Sequence, residues 1–536
     1  MNTGPITDAS SEGPAAVSDL AGAQGAGAGA SPAIAPDART ARPRPGDELE
    51  LEVESLAFGG EGVARLGEEG YVVFVAGAMP GDRVRATVSR RKRSYARAYA
   101  TEILRPSPER IPALAQHPGV PWQVLPYERQ LEVKQSQVQD ALQRLGRLDG
   151  FELQEIVPAV EQWRYRNKLE YSFGTLAPAD TTGAGDEMDS TARARSEGEL
   201  VCGFHASGGW KEVVPFDDCL LASEIGNRAR EVALRWCREQ GLVARDRAER
   251  AAGPAADGRA RLRNLVVREG RRSGPKLQVR VVSTDGELDA GAFALELSRE
   301  LGEHLGGVLW TRSGSLAETT AGGDTELVWG EAELPERLGG LDLRISPEAF
   351  FQTNTEMAER LYEIVGEYAA LAGWERVYDL YCGLGTIALS LAPRAGELWG
   401  IELVEPAVAD AIAAAERNGV TNARFFAGDA RTALPELVQR AGRPDVLVVD
   451  PPRAGLSKKV VQRIVEASPR RIVYVSCNPT TLAPNAAELG RAGWRLTRVR
   501  PVDMFPQTHH VECVALLERD DGRPISAAGA VSAVSG

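Results

Sequence analysis

The hydrophobic residues of this chain follow three successive patterns. Residues 45–106 contain short alternating runs such as GYVVFVAG, broken by Gly and Pro, which predict a small antiparallel, OB-like β-barrel. Residues 127–146 place apolar side chains at helical spacing, and Gly146 is positioned to end that helix. From about residue 355, apolar strands alternate with helical stretches, which predicts an α/β domain with a doubly wound, Rossmann-like sheet. Its last two strands are expected to form an antiparallel pair.

Segments of low hydrophobicity flank and separate these patterns. Residues 1–44 and 521–536 are mainly small and polar and cannot bury enough apolar surface to fold, so both are predicted to be disordered tails. Residues 176–198 and 244–260 have the composition of surface loops or insertions. The remaining chain divides into a barrel at 45–106, a linker and helix at 107–149, a middle α+β domain at 150–345 and the doubly wound domain at 346–520.

Charge gives opposing indications about nucleic acids. The formal net charge of −13 argues against a polyanionic partner, because binding to phosphates requires clustered Lys and Arg. The barrel nevertheless contains SRRKRSYARAYATEILR, which combines cations with tyrosines that can stack on bases. We interpret this stretch as an RNA contact, with a solvated charged hairpin as the alternative. The middle domain adds Arg164, Arg166 and Lys168, predicted to alternate on a strand at WRYRNKLEYSF, and a group of Arg261, Arg263 and Arg268.

Cysteine use and hydropathy predict a cytoplasmic protein. Six cysteines are scattered without the spacing of a disulfide framework, which fits a reducing compartment. Neither a Cys-x-x-Cys pair nor a His-x-x-x-His pair is present, so no structural zinc site is expected. No apolar run reaches the ~18–20 residues of a membrane span, and no secretory signal is recognisable. No feature specifies an oligomeric state.

The stretch DLYCGLGTIAL combines a predicted strand, a glycine turn and the start of a helix. Gly383 and Gly385 allow the backbone to approach a ligand closely. Glu402 lies at the end of the next predicted strand, where a carboxylate can accept hydrogen bonds from both hydroxyls of a ribose. With Ala388, the glycines also fit the dinucleotide pattern G-x-G-x-x-A. Three interpretations stay open here: NAD, S-adenosylmethionine, or a plain strand–helix turn.

The stretch VVDPPRAGL favours the methyl donor. Asp450 and two prolines follow the fourth predicted strand, which places a rigid acceptor at the carboxyl edge, where ligands bind in such sheets. Dinucleotide folds have no need of this element, whereas enzymes that present a base to a methyl donor often have it. The alternative interpretation is an ordinary loop with a proline pair.

Cys477 follows the fifth predicted strand at the same edge, in IVYVSCNPTTL. A lone cysteine is usually a small buried hydrophobe. Here Asn478 and Pro479 end the strand and are expected to leave the sulfur facing the crevice, so we interpret Cys477 as a nucleophile. Cys382 and Cys513 lie within apolar runs and are interpreted as core residues.

A cysteine nucleophile suits methylation at C5 of a pyrimidine, because that carbon is too weak a nucleophile to attack a sulfonium methyl directly. Addition of a thiolate to C6 places electron density on C5, and the C5 proton must leave after methyl transfer. A base is therefore required near C5. Glu512, which begins the last predicted strand in DMFPQTHHVECV, supplies a carboxylate. A solvated acid at a strand end is the alternative.

The chain resembles the RNA 5-methyluridine methyltransferases in five motifs: SPEAFFQTN, DLYCGLGT, VVDPPRAG, YVSCNPTTLA and DMFPQTHHVE. That family depends on S-adenosylmethionine. The resemblance covers residues 345–516, and the barrel resembles the TRAM module of ribosomal-RNA members. It implies that Cys477 is the nucleophile and Glu512 the proton-abstracting base. It also implies that the donor is bound by Gln352, Tyr381, Gly383, Gly385, Thr386, Glu402, Asp429 and Asp450.

The resemblance departs from the family pattern in two places. Thr386 stands where relatives often have asparagine. Ribosomal members commonly hold an iron–sulfur cluster on three cysteines before the Q-x-L helix and a fourth cysteine later, whereas this chain reads ALAQHPGVPWQVLPYERQL. Cys219 would be a leftover of the fourth. One cysteine cannot hold a cubane cluster, so no iron–sulfur cluster is expected.

These features predict a cytoplasmic RNA uracil-C5 methyltransferase whose barrel and middle domain grip RNA while the target uridine is flipped into the crevice. The TRAM-like module favours ribosomal RNA, and the missing cluster cysteines keep transfer RNA open. No membrane partner is expected. Three other functions stay open: an exocyclic-nitrogen methyltransferase, a nicotinamide oxidoreductase and a non-catalytic RNA-binding protein.

Overall fold

The computed structural model describes residues 42–67, 70–176, 198–206, 209–246, 257–274, 276–315 and 319–519. The predicted tails, apart from residues 42–44, and most of the two predicted insertions lie outside these ranges. The described strands form a closed barrel, a seven-stranded sheet, a two-stranded ribbon and an eight-stranded sheet. None of the helices in these ranges combines the length and the apolar character needed to cross a membrane.

The barrel is built from β1 (Glu48–Leu56), β2 (Gly62–Leu66), β3 (Tyr71–Ala76), β4 (Arg83–Arg91) and β5 (Tyr95–Arg105). Alternate apolar residues such as Val73 and Val75 fill its interior, as the two-residue period of a strand requires. The order is β1-β2-β3-β5-β4, closed between β4 and β1. The predicted antiparallel pairing holds for every neighbouring pair of the barrel except β3 and β5, which pair in parallel. An odd number of strands in a closed ring cannot alternate in direction throughout.

Helix α1 (Tyr127–Asp140) continues into a π-helical turn at Ala141–Leu145, which confirms the helix predicted at 127–146. The helix also connects the barrel to the rest of the protein. The Gln137 amide donates hydrogen bonds of 3.1 Å to the carbonyl groups of Leu56 and Ala57 at the end of β1. These contacts hold the barrel against the element that precedes the middle domain.

The middle region contains β6 (Glu152–Leu153), β7 (Lys168–Leu176), β8 (Glu199–Ala206), β9 (Gly209–Pro215), helix α2 (Glu224–Glu239), β10 (Leu262–Gly270), β11 (Lys276–Ser283), helix α3 (Ala290–Leu301), β12 (Leu305–Arg312) and β13 (Asp324–Gly330). Seven of these strands form a sheet in the order β13-β12-β11-β10-β7-β8-β9. Helices α2 and α3 pack on it through one hydrophobic core that includes Trp236 and Phe293.

One predicted strand of the middle region starts later than expected. Strand β7 begins at Lys168, whereas the prediction placed a strand from Trp163. Arg164 has a left-handed backbone with φ of 54°, which an extended strand does not accommodate. Arg164 and Arg166 therefore do not alternate with Lys168 on one strand face, and the stretch before β7 is irregular.

The C-terminal region begins with the ribbon of β14 (Leu334–Leu338) and β15 (Leu341–Ile345) and helix α4 (Thr355–Ala369). It continues with β16 (Arg376–Leu380), α5 (Thr386–Leu391), β17 (Glu397–Glu402), α6 (Glu405–Arg417), β18 (Ala423–Ala427), α7 (Ala430–Ala441), β19 (Val446–Val449), α8 (Lys458–Ala467), β20 (Arg471–Ser476), α9 (Pro479–Arg491), β21 (Trp494–Val502) and β22 (Glu512–Arg519). The eight-stranded sheet has the order β18-β17-β16-β19-β20-β22-β21-β6. Strands β21 and β22 form the predicted antiparallel pair, and β6 extends the sheet beside β21.

Both faces of this sheet are covered by helices. Val446 and Val448 of β19 belong to the core shared with α4, α5 and α6, while Leu447 and Val449 belong to the core shared with α1, α7, α8 and α9. A parallel sheet buried on both sides reads as a continuous apolar run, and VLVV is such a run. The predicted doubly wound α/β fold is confirmed, and the carboxyl ends of β16 to β20 meet at one edge.

Candidate active site

The predicted site residues lie along this carboxyl edge in the spatial order of the strands. Strand β22 runs antiparallel to β20, so its first residue lies at the same edge as the last residues of the parallel strands. From one side of the sheet to the other, the edge presents Asp429 after β18, Glu402 at the end of β17, Tyr381 after β16, Asp450 after β19, Cys477 after β20 and Glu512 at the start of β22.

Strand pairing brings Cys477 and Glu512 together. In the antiparallel register of β20 and β22, Ser476 pairs with Cys513. Cys477 and Glu512 are the next residues beyond this pair on the two chain segments, and the charge of Glu512 raises the pKa of Cys477. Cys477 is partly exposed, whereas Glu512 is buried. A thiol open to the crevice therefore stands beside a carboxyl group shielded from water.

The loop that carries Cys477 is fixed by the Asn-Pro pair that follows it. The Asn478 side chain caps α9 by accepting a hydrogen bond of 3.0 Å from the Thr480 N–H, and Pro479 occupies the first turn of that helix. The Asn478 amide also donates to the Arg453 carbonyl at 3.1 Å. The pair thus ends the strand by starting a helix, and it ties the cysteine loop to the loop after Asp450.

Burial and neighbouring carboxyl groups together disfavour the thiolate form of Cys477. Burial, followed by the charges of Glu512 and Asp450, raises the pKa of Cys477 to about 12. Desolvation raises the pKa of Asp450 to about 7 and, with the charge of Asp450, raises the pKa of Glu512 well above its usual range. The Arg453 cation acts in the opposite direction on the pKa of Cys477. A positively charged ligand would therefore be stabilised here.

The glycine turn after β16 holds a carboxylate in place. Tyr381, Gly383 and Gly385 all have left-handed backbones, with φ of 64°, 53° and 72°. The N–H groups of Gly383 and Val404 donate to the two oxygens of the Glu402 carboxylate at 3.1 Å and 3.0 Å. Glu402 is therefore oriented beside the turn, as ribose binding would require.

Two of the three remaining predicted donor-binding side chains have partners within the protein. The Thr386 hydroxyl is hydrogen-bonded to the Tyr362 hydroxyl at 2.9 Å. Asp429 caps α7, and its carboxylate binds the Arg431 side chain at 2.8 Å, which lowers the pKa of Asp429. Gln352 is buried on the stretch that precedes α4. To contact a bound donor, the Thr386 and Asp429 side chains would have to bind it in addition to these partners.

Asp379 is a candidate site residue that sequence reasoning missed. It is fully buried in β16. The Ala388 N–H approaches its carboxylate, yet neither oxygen completes a hydrogen bond with the described part of the chain. Burial and the charge of Asp450 raise the pKa of Asp379 well above its usual range. The signal in the sequence was an acid inside an apolar strand, where an unpaired charge is costly.

This orphaned carboxylate tests whether the site fits the implied methyl donor. A buried acid without a partner lies directly before the glycine turn, and the oriented Glu402 carboxylate lies behind that turn. The acids Asp450 and Glu512 continue the same edge. Such a wall fits a ligand that has a ribose and a positively charged group, which are both parts of S-adenosylmethionine.

The stretch before α1 carries a histidine near the expected leftover cysteine. Cys219 is buried, and its sulfur lies 3.4 Å from Nε2 of His117. Among the residues with described positions, no group of three or more His, Cys, Asp or Glu side chains is placed to hold a metal ion.

The loop that leads to Glu512 is held by buried polar contacts from α1. Lys134 and Asp503 form an ion pair of 2.6 Å, and both side chains are fully buried. Lys134 also donates to the Phe505 carbonyl at 3.1 Å, and the Tyr127 hydroxyl donates to Asp503 at 2.8 Å. The ion pair joins residues 369 positions apart, so local sequence patterns gave no sign of it.

Lys134→Met should destabilise the protein strongly. The substitution leaves Asp503 buried without its cation, which typically lowers the free energy of unfolding by about 3–5 kcal/mol. Urea denaturation followed by circular dichroism measures this loss. Arg129→Met on the exposed face of α1 is the control, since its ion pairs with Glu109 and Glu132 are solvated and worth at most about 1 kcal/mol. Equal losses in the two variants would contradict the role of the buried pair.

The sequence is similar to those of known RNA methyltransferases. Residues 340–520 match the family described as tRNA (Uracil-5-)-methyltransferase, and residues 42–101 match the TRAM domain. A relative from Chlorobaculum tepidum, named as an uncharacterized RNA methyltransferase, is 36% identical over 493 residues, covering 89% of this chain and 98% of the relative. A relative of the same description from Bacteroides thetaiotaomicron is 36% identical over 471 residues, covering 86% of this chain and 100% of the relative.

A solved structure is similar to this chain over most of its length. The tRNA (uracil-54, C5)-methyltransferase of Pyrococcus abyssi, in complex with S-adenosyl-L-homocysteine, aligns with a TM-score of 0.64 and 26% identity over 88% of this chain and 100% of that one. The fold and site define a methyltransferase that depends on S-adenosylmethionine. The chain belongs to the 5-methyluridine family of RNA methyltransferases. The predicted family, enzyme class, donor, TRAM module and RNA substrate class are thereby confirmed.

Proposed function

We propose that the chain methylates C5 of a uridine in RNA through a temporary covalent bond between Cys477 and C6 of the uracil. The observation that carries this proposal is the β20–β22 register, whose last pair, Ser476 and Cys513, is followed directly by Cys477 on one chain segment and preceded by Glu512 on the other. Methylation of an exocyclic nitrogen needs no thiol at this position. A paired nucleophile and base are the two groups that C5 methylation requires.

The proposed reaction replaces the proton on C5 of the uracil with a methyl group and regenerates the thiolate. S-Adenosylmethionine supplies an electrophilic methyl group on a positively charged sulfur. Cys477 releases its proton to solvent, and its sulfur bonds to C6 while the C5=C6 double bond opens and moves electron density to C5. C5 then bonds to the methyl carbon while the methyl–sulfur bond breaks and leaves S-adenosylhomocysteine. Glu512 removes the C5 proton, after which the C6–sulfur bond breaks, the C5=C6 double bond returns and the thiolate is released.

The donor would lie along the edge from β18 to β19. Glu402 would accept hydrogen bonds from the ribose hydroxyls, and Asp429 would lie beside the adenine. The acids Asp379 and Asp450 would face the positively charged end of the donor. The remaining residues proposed to contact it are Gln352, Tyr381, Gly383, Gly385 and Thr386.

The barrel would supply part of the RNA grip. The basic stretch SRRKRSYARAY runs from the end of β4 through the turn into β5, and Tyr99 on β5 is 49% exposed. Within the described ranges, none of the four cations at this turn forms an ion pair with a carboxylate, which leaves them available for phosphates. These four exposed residues are Arg90, Arg91, Lys92 and Arg93.

Ribosomal RNA is the first candidate substrate, on the strength of the TRAM module at the N-terminal end of the fold. Transfer RNA is the second candidate. It is favoured by the similarity, over 88% of this chain, to a structure described as a tRNA (uracil-54, C5)-methyltransferase. The same chemistry would serve both, so the difference must lie in how the folded RNA is held outside the crevice.

The purified protein should form 5-methyluridine in one of these RNAs. Unmodified ribosomal and transfer RNA transcripts would be incubated separately with S-adenosylmethionine, digested to nucleosides and analysed by mass spectrometry. We expect a methyl group on C5 of uridine at a single position of one RNA class. Methylation confined to exocyclic nitrogens, or none in either RNA, would contradict the proposal.

A further inference from the structure

A second concave site lies next to the candidate active site. It is a cavity of about 340 Å³ between the start of β7, the loop at Gly119 and the stretch before α4. We call it the β7 cavity. We call the charged side chains of its lining the polar wall and its apolar and aromatic side chains the apolar wall. The residues that matter for its chemistry are Arg166, Lys168, Glu170, Arg268, Phe350 and Phe351.

The β7 cavity is joined to both halves of the catalytic crevice. The Arg166 guanidinium lies 5.2 Å from the ring centre of Phe505, which belongs to the loop leading to Glu512. The Asn167 amide, from the residue between the two cations, donates to the Gln352 carbonyl at 2.9 Å. A ligand in the cavity would therefore lie close to the loop that leads to Glu512 and to Gln352, which is proposed to contact the methyl donor.

The polar wall carries more positive than negative charge. Lys168 is paired with Glu170 at 2.6 Å. Arg268 is buried, and among the described residues its guanidinium donates to the backbone carbonyls of Ser346 and Ala349, at 2.9 Å and 2.8 Å. Nε of Arg166 is buried without a hydrogen-bond partner in the described chain. One carboxylate thus faces three cations, which favours an anionic ligand such as a phosphate.

The apolar wall offers a surface for a flat ring. Phe350 is 70% exposed, whereas its neighbour Phe351 is buried. A single exposed aromatic residue is ordinary on a protein surface. At the rim of a cationic cavity, however, it completes the pair of elements that single-stranded nucleic acid requires, a cationic groove and a stacking platform. The cavity volume also lies within the range of about 300–1,000 Å³ that small ligands occupy.

We propose that the β7 cavity binds a nucleotide of the substrate RNA that neighbours the target uridine. Arg166 and Lys168 would hold its phosphate, and Phe350 would stack on its base. The inference rests on the proposed function for the identity of the target, and it adds a second point of contact beside the reacting base. Such a contact would select the sequence or shape of the RNA around the methylated position.

RNA affinity of the full-length protein tests this proposal. The probe is a fluorescent transcript of the RNA that the protein binds, titrated at several salt concentrations. We expect Phe350→Ala to weaken binding about tenfold, as loss of one stacked base does, with Phe350→Trp close to the unchanged protein. Leu295→Ala on α3, where the side chain is 71% exposed, is the matched control and should have no effect.

The cationic wall is tested by the salt dependence of the same binding. Lys168→Gln should reduce the slope of log affinity against log salt by about 0.7–0.9, the value for one phosphate contact. Phe350→Ala should leave that slope unchanged. In methylation assays, Phe350→Ala should raise KM for RNA about tenfold and leave kcat and the affinity for S-adenosylhomocysteine unchanged. A purely structural role of Phe350 would not produce this separation.

Several results would overturn the proposal. One is RNA affinity within twofold of the unchanged protein in both Phe350→Ala and Lys168→Gln. Another is an equal loss in Leu295→Ala. Binding of uridine monophosphate should be measured as well. If this free nucleotide binds with micromolar affinity, and if Lys168→Gln abolishes that binding without changing RNA affinity, the cavity binds a small ligand instead of RNA. If the protein binds RNA but makes no 5-methyluridine, the proposed function is wrong. The RNA affinities of the variants would still show whether the β7 cavity binds RNA.

Discussion

Cys477→Ala should abolish formation of 5-methyluridine, with a loss on the order of 10⁴-fold or more, as expected when a covalent nucleophile is removed. Without the sulfur, nothing adds to C6, and C5 keeps too little electron density to accept a methyl group. The measurement is transfer of radioactive methyl groups to RNA, with the product identified by nucleoside mass spectrometry. Binding of S-adenosylhomocysteine should be unchanged, because the thiol is proposed to contact the base rather than the donor.

Cys513→Ala is the matched control for this experiment. Cys513 pairs with Ser476 directly beside Cys477, but it is buried in the sheet. Removing its sulfur should change the rate only within a fewfold range, with a stability cost of the size usual for a small core deletion. If Cys477→Ala keeps making 5-methyluridine, the covalent route is wrong. If it makes a nitrogen-methylated nucleoside, the exocyclic-nitrogen reaction, which needs no thiol, is the better description.

The residues at the carboxyl edge could be predicted because parallel strands all run in the same direction. Each strand that alternates with a helix ends at the same side of the sheet, so Asp450 and Cys477 could be placed together from their positions after apolar runs. Glu402 followed in the same way from its place at the end of β17. These predictions needed only local patterns and the rule that consecutive strand–helix units wind in one sense.

The pairing of Cys477 with Glu512 depends on information that local patterns do not contain. The last two strands were predicted as an antiparallel pair, but the insertion of β22 between β20 and β21 was not. That insertion pairs Ser476 with Cys513 and so brings Glu512 next to the cysteine loop. The Lys134–Asp503 pair was invisible for the same reason, since its members are far apart in sequence and meet only in the folded core.

The errors of the sequence-based prediction also have physical causes. Strand β7 was predicted to begin too early because the alternating basic residues resemble a strand pattern. In the structure, Arg164 has a left-handed backbone that an extended strand does not accommodate. Asp379 was missed because a single acid in an apolar strand does not by itself show whether its carboxylate has a partner. Burial of both its oxygens without a partner becomes evident only when the covering helices are in place.

Glu512→Gln should trap a covalent complex between the protein and methylated RNA. Gln keeps the shape of the side chain but cannot accept the C5 proton, so the reaction should stop after methyl transfer with the C6–sulfur bond intact. Turnover should fall by about 10²–10⁴-fold, the usual contribution of a general base. Denaturing gel electrophoresis should then show a protein–RNA adduct approaching one RNA per protein, which the unchanged protein does not accumulate.

The pH dependence of adduct formation gives this prediction a second readout. Burial, Glu512 and Asp450 raise the pKa of Cys477 to about 12, so the thiol is protonated at neutral pH and the thiolate fraction increases with pH. In single-turnover experiments with Glu512→Gln, adduct formation should accelerate from about pH 7 to about pH 9. Because the variant removes one of the negative charges that raise this pKa, its adduct should form faster than in Glu512→Asp at the same pH.

Glu512→Asp is also the control that separates proton abstraction from adduct formation. The shorter acid retains the negative charge and a basic oxygen, so it should turn over slowly and accumulate less adduct than Glu512→Gln. The double variant Cys477→Ala, Glu512→Gln should form no adduct at all, because the trapped bond requires the sulfur. An adduct that persists without Cys477 would assign the nucleophile to another residue, and the absence of any adduct in Glu512→Gln would remove Glu512 from the elimination step.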